Sequence, residues 1–127
     1  MQERHLFEYA VIRVVPRVER EEFLNVGVIL YCSRQKFLRA IFKINVEKLK
    51  ILSPETDVEE VDEYLRSFEK ICEGGLKGGP IGQLPIAERF RWLTAVRSTV
   101  VQSSAVHPGM CLDAEETLNR LFSQLVL

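Results

Sequence analysis

The sequence predicts an α+β fold in which an N-terminal antiparallel β-meander forms a twisted sheet, with helices packed on it and a C-terminal helix closing the chain. Two observations carry this. Strand-like apolar runs fill residues 6–42, and helical periodicity clusters after residue 45. At 127 residues, 46% hydrophobic and 28% charged, the chain has the size and composition of one globular domain spanning 1–127, with no internal repeat and no low-complexity segment.

Residues Leu6 to Val15 are apolar on both parities, Phe7, Tyr9 and Val11 on one and Ala10, Ile12 and Val14 on the other. A strand covered on both faces has that pattern, and Pro16 ends it by removing the next donor. The charged segment Arg17 to Glu22 is a solvated connection. Phe23 to Cys32 is a second strand too apolar for a sheet edge, and Gly27 inside it predicts a bulge or a close backbone approach. A polar turn at 33–36 leads to a third strand, Phe37 to Phe42.

Asn45 caps a short helix carrying Val46, Leu49 and Leu52, closed by Ser53-Pro54. Asp57 with Glu60 has the form of a capping box, and Val58, Val61, Leu65, Phe68 and Cys72 step along one helical face to a stop at Gly74. The stretch Gly74 to Gly82 holds five of the seven glycines and reads as a mobile or tightly turning loop. Pro85 opens a short helix with Ile86, Phe90 and Leu93 inward. Strand character returns between Ser98 and Ser104, a turn is expected at His107-Pro108-Gly109, and Asp113 with Glu116 predicts a capped last helix buried through Leu118, Leu121, Phe122 and Leu125.

Seventeen Lys and Arg against eighteen Asp and Glu leave a net charge of -1, so no global field draws the chain onto a polyanion. Cys32, Cys72 and Cys111 are far apart and lack zinc spacing, and they read as reduced, buried thiols. With only His5 and His107 available, no metal and no cofactor is expected. The opening Met1 to His5 is polar and the apolar run after it carries Glu8 and Arg13, which fits neither a signal peptide nor a membrane span; the expected address is the cytoplasm. The glycine stretch fails as a phosphate loop, because it follows a helix and lacks the terminal Lys-Ser/Thr of a Walker sequence.

Chemistry-bearing residues concentrate at Arg89, Arg91, Arg97, Ser98, Thr99, Gln102 and His107. Arginine forks suit carboxylate or phosphate, and His107 is the one candidate catalytic group, for proton transfer. The structural alternative pairs Arg97 with a carboxylate, puts Trp92 in the core and spends His107 on a turn carbonyl. A nucleophilic triad assembled from Ser98, Cys111, His107 and Asp113 has no supporting signature. Among the strands, Arg13 and Asn25 are polar residues in apolar surroundings, either structural, with Arg13 paired to Glu22, or aimed at a site with Arg97. The ligand-binding candidates are therefore Arg13, Asn25, Arg97, Ser98, Thr99 and Gln102.

Tyr9-x-Val11-Ile12-Arg13-x-Val15-Pro16 and Glu22-Phe23-x-Asn25-Val26-Gly27-Val28-Ile29-Leu30 resemble the opening of the uncharacterised bacterial family known as domain of unknown function 3037. The run from Arg89 to Gln102, with Val106-His107-Pro108-Gly109, is similar to that family's second half. The resemblance implies no activity or catalytic residue. It does imply a neighbour, since some members are encoded beside a kinase-like protein of the HipA type.

Three functions remain open. The first is a small accessory or interaction module for a larger protein such as that kinase. The second is an anion- or nucleotide-binding domain or enzyme using Arg13, Arg97 and His107. The third is a nucleic-acid binder using Arg89, Arg91 and Arg97 with Trp92 as a stacking surface.

Overall fold

A computed structural model describes residues 3–127; Met1 and Gln2 lie outside it. Strand β1 (His5–Val14) is the centre of an antiparallel sheet. On one side it pairs with β2 (Leu24–Cys32), which pairs in turn with β3 (Phe37–Phe42). On the other side two short strands share it: β4 (Val101–Ser103) lies along its C-terminal half and β5 (His107–Cys111) along its N-terminal half. Between them the three residues 104–106 face only Ala10 and Val11, so the chain bulges. Ser104 repairs the ladder there. Its backbone N–H donates to the Val11 carbonyl at 2.8 Å, and its hydroxyl accepts the Val11 N–H at 2.8 Å.

Both faces of the sheet are covered, as the two-sided apolar pattern predicts. Ala10, Ile12 and Val14 are fully buried on the face packed by α1 (Val46–Leu52), α2 (Val58–Glu73) and α4 (Ile86–Leu93). Phe7, Val28, Leu30 and Cys32 pack on the opposite face under the C-terminal helix. That helix, numbered α5 (Ala114–Leu125), follows a single helical turn, α3 (Gly79–Gly82), and the α4 helix in chain order. Asn45 and Asp57 cap their helices, Asp57 accepting from Glu59 and Glu60 N–H at 3.0 and 3.2 Å.

Gly27 satisfies both of its predicted roles. The β1–β2 register slips between Ile12 and Arg13, and a Cβ on Gly27 would collide with the Phe42 ring and stand 2.7 Å from the Ile41 carbonyl. The slip also swings Asn25 round to face Arg13.

Three local expectations are corrected. His107-Pro108-Gly109 is not a turn but part of β5. Proline is tolerated because β5 is an edge strand, and Gly109 is required because the Phe7 ring fills the space a Cβ would need. Asp113 makes no side-chain cap. Gln35 does the work from the β2–β3 turn, accepting the Ala114 N–H and donating to the Leu112 carbonyl, both at 2.8 Å. The strand expected over 98–104 covers only Val101–Ser103. The glycine stretch takes the tight alternative: a 3₁₀ turn and α3, closed by the Gly75 N–H on the Gly82 carbonyl at 2.9 Å.

All three cysteines are unpaired and buried. Burial pushes the Cys72 thiol up to about 12, against the opposing pull of the Arg89 guanidinium. A folded thiol that keeps its proton longer than the unfolded one contributes stability below its unfolded value of 9.0, lost as pH rises toward 12. Chemical denaturation should therefore show wild type losing stability relative to Cys72→Ala across that window, by at most about 1.4 kcal/mol per pH unit. Parallel pH profiles would contradict the burial of this thiol.

Candidate functional site

The register brings three of the predicted polar residues into one row. Arg13 on β1 stands opposite Asn25 on β2 and opposite Gln102 on β4, so their side chains share the α5 face of the sheet. The Arg13 guanidinium lies 4.1 Å from the Phe23 ring centroid. Asn25 Nδ2 donates to the Leu125 carbonyl at 3.2 Å, and Gln102 Nε2 to the Thr99 carbonyl at 2.8 Å. Two atoms in this row are buried with no hydrogen-bond partner among the described residues: the Arg13 Nε donor and the Asn25 Oδ1 acceptor. Each such orphan costs about 1–3 kcal/mol, which marks the row as a place where polarity is kept against stability. Arg13 does not pair with Glu22, whose carboxylate takes Arg20 instead.

The other candidates go elsewhere. His107 sits on β5 opposite Tyr9, exposed, with the two rings 5.4 Å apart. Tyr9 and Arg13 are four positions apart on β1, a run of about 13 Å, so His107 cannot reach a small ligand held by Arg13. Arg97 lies against the other face: its guanidinium is 4.5 Å from the Trp92 ring, 5.9 Å from the Phe68 ring, and donates to the Trp92 carbonyl. It makes no ion pair among the described residues, and Trp92 is 41% exposed rather than core. Ser98 and Thr99 line a separate cleft of about 530 Å³ with Arg17, Glu60 and Tyr64. Cys111 is buried four residues along β5 from His107, and burial pushes its thiol up, opposite to what a nucleophile needs. Among the described residues no three His, Cys, Asp or Glu side chains converge as a metal site requires, and no helix is long and apolar enough to cross a membrane.

Arg89 has a structural task that its position in a basic run concealed. Its guanidinium donates to the Ile71 and Cys72 carbonyls at the end of α2, at 2.9 and 2.8 Å, and to the Leu84 carbonyl at 3.0 Å. A Cβ on Gly74, whose φ is 81°, would press on Arg89 Nη1 at 2.8 Å. Of the arginines beside Trp92, one is thus consumed by carbonyls and another stacks on the indole.

A further feature escapes motif reading because it carries no chemistry. Leu6 and Met110 face each other across β1 and β5, 57% and 54% exposed, and Pro108 within β5 is also exposed, as are Val106 and Leu112, which flank the strand. Every second residue from 106 to 112 is apolar, a signal present in the sequence but masked by the Pro-Gly turn pair.

The fold and these surfaces define an α+β protein whose antiparallel sheet lies between helices, with a polar row on one face and an apolar strip on one edge. The chain belongs to the DUF3037 family, a protein family of unknown function, which it matches over residues 9–126. No curated protein and no solved structure matches it.

The contrast between two arginines is measurable. Arg89→Met should lower the unfolding free energy by about 2–4 kcal/mol in urea denaturation, since three carbonyls lose a charged donor. Arg13→Met should leave stability within about 1 kcal/mol of wild type, because an orphaned donor is removed with it. Equal losses at both positions would show that the Arg13 row is structural.

Proposed function

We propose that this chain is a small accessory module of the bacterial cytoplasm that binds a larger protein, with a HipA-like kinase as the partner its family resemblance suggests. The observation that supports this reading is the apolar strip of Leu6, Val106, Pro108, Met110 and Leu112 on the free edge of the sheet. Isolated exposed apolar residues are ordinary, but a contiguous strip along one strand is a feature of contact surfaces. Pro108 lacks the N–H that a strand-on-strand contact would use. The partner therefore meets the strip through apolar side chains more than through a continuous backbone ladder.

A second reading has its own observation. The orphaned Arg13 Nε donor suits an anionic oxygen, and the orphaned Asn25 Oδ1 acceptor beside it suits a ligand N–H or O–H, a pairing that a nucleotide group offers. His107 and Arg97 take no part in it, so this reading is of binding and includes no proton-transfer step.

The test is a binding titration against a purified HipA-like kinase of the kind encoded beside some members of the family. Leu6→Asp with Met110→Asp should weaken binding at least tenfold while thermal unfolding stays close to wild type, since both side chains are more than half exposed. Unchanged affinity in the double variant, or no binding by wild type, would remove the reading.

A further inference from the structure

The sheet's second free edge is β3, which among the described residues pairs with β2 alone. Beside it, α2 and residues 42–46 enclose a groove of about 740 Å³. Its apolar floor comes from Phe42, Ile44, Val58 and Leu65, with Val46 48% exposed at the rim. Its wall is acidic: Glu59, Asp62 and Glu63 stand within one turn of α2, and Glu69 follows beyond Arg66 on the same side. Asp62 holds Arg66 at 2.7 Å, whereas Glu59, Glu63 and Glu69 are exposed and enter no ion pair among the described residues. Glu59 and Glu63, four residues apart, repel each other, and Lys43 is the one further cation in the lining.

An open apolar floor beside unpaired carboxylates calls for an occupant that supplies apolar side chains and positive charge together. We infer that this groove binds a basic segment of a protein partner, one that seats apolar side chains on Phe42, Ile44 and Val58 and sets Lys or Arg against Glu59, Glu63 and Glu69. Charge complementarity selects this occupant, because an acidic segment or a nucleic acid would meet the same wall with repulsion. The inference rests on the reading that the chain serves a larger protein, and it adds a contact on the edge opposite the β5 strip.

The full chain is titrated with a synthetic peptide alternating Lys with Leu and Val, and with the same peptide carrying Glu for every Lys. The basic peptide should bind with a salt-weakened affinity and shift the amide resonances of residues 42–46 and 58–69, while the acidic one does not bind. Glu59→Lys with Glu63→Lys should weaken the basic peptide at least tenfold and admit the acidic one, with unchanged circular dichroism. No binding of the basic peptide, resonance shifts elsewhere, or indifference to the charge reversal would overturn the inference. Peptide binding that persists in the Leu6→Asp, Met110→Asp variant while kinase binding fails in wild type separates this inference from the kinase reading and removes only the latter.

Discussion

Strand β1 has both edges paired and both faces covered, and the rest of the structure is arranged around that constraint. Its neighbour on one side is a single long strand, but on the other it must be served by two short ones joined through a bulge. The Val11 backbone is the weak point of such a joint, because a bulge leaves ladder groups without partners. Ser104 supplies both missing partners, one from its backbone and one from its hydroxyl. Only with that joint closed do β4 and β5 run along the same strand, placing Gln102 beside Arg13 and Met110 beside Leu6.

Much of the polar chemistry is spent on holding this arrangement. Arg89 ends α2 and folds the glycine segment against it; Gln35 ties the β2–β3 turn to the start of α5; Arg97 lies on Trp92. Groups so engaged are not free for a ligand. The surfaces that remain uncommitted include the Asn25–Arg13–Gln102 row, the cleft beside Ser98 and Thr99, the apolar edge at β5 and the acidic groove at β3. Under the proposed function, the β5 edge and the β3 groove are the two that would receive a partner chain, which favours association over catalysis.

The central strands and the principal helices are visible in the sequence because burial on two faces and on one helical stripe leave different periods, as in Leu6 to Val15 and Val58 to Cys72. Gly27 is readable for a related reason, a residue without a Cβ inside an apolar strand. His107-Pro108-Gly109 misleads because edge position and the Phe7 ring, neither of them local, turn two turn-forming residues into strand residues. The capping of α5 by Gln35 is similarly hidden, since it spans 79 positions of sequence. The site is legible as residue types but not as a constellation: Arg13, Asn25 and Gln102 meet through register, and register also carries His107 away.

The most direct test of an association surface at β5 is photo-crosslinking inside the cell that makes the protein, with a photoreactive residue at Met110 or, as a control, at the exposed α5 position Ser123. One adduct with a larger protein is expected from position 110 and none from 123. No adduct from 110, or an adduct only between two copies of this chain, would contradict it.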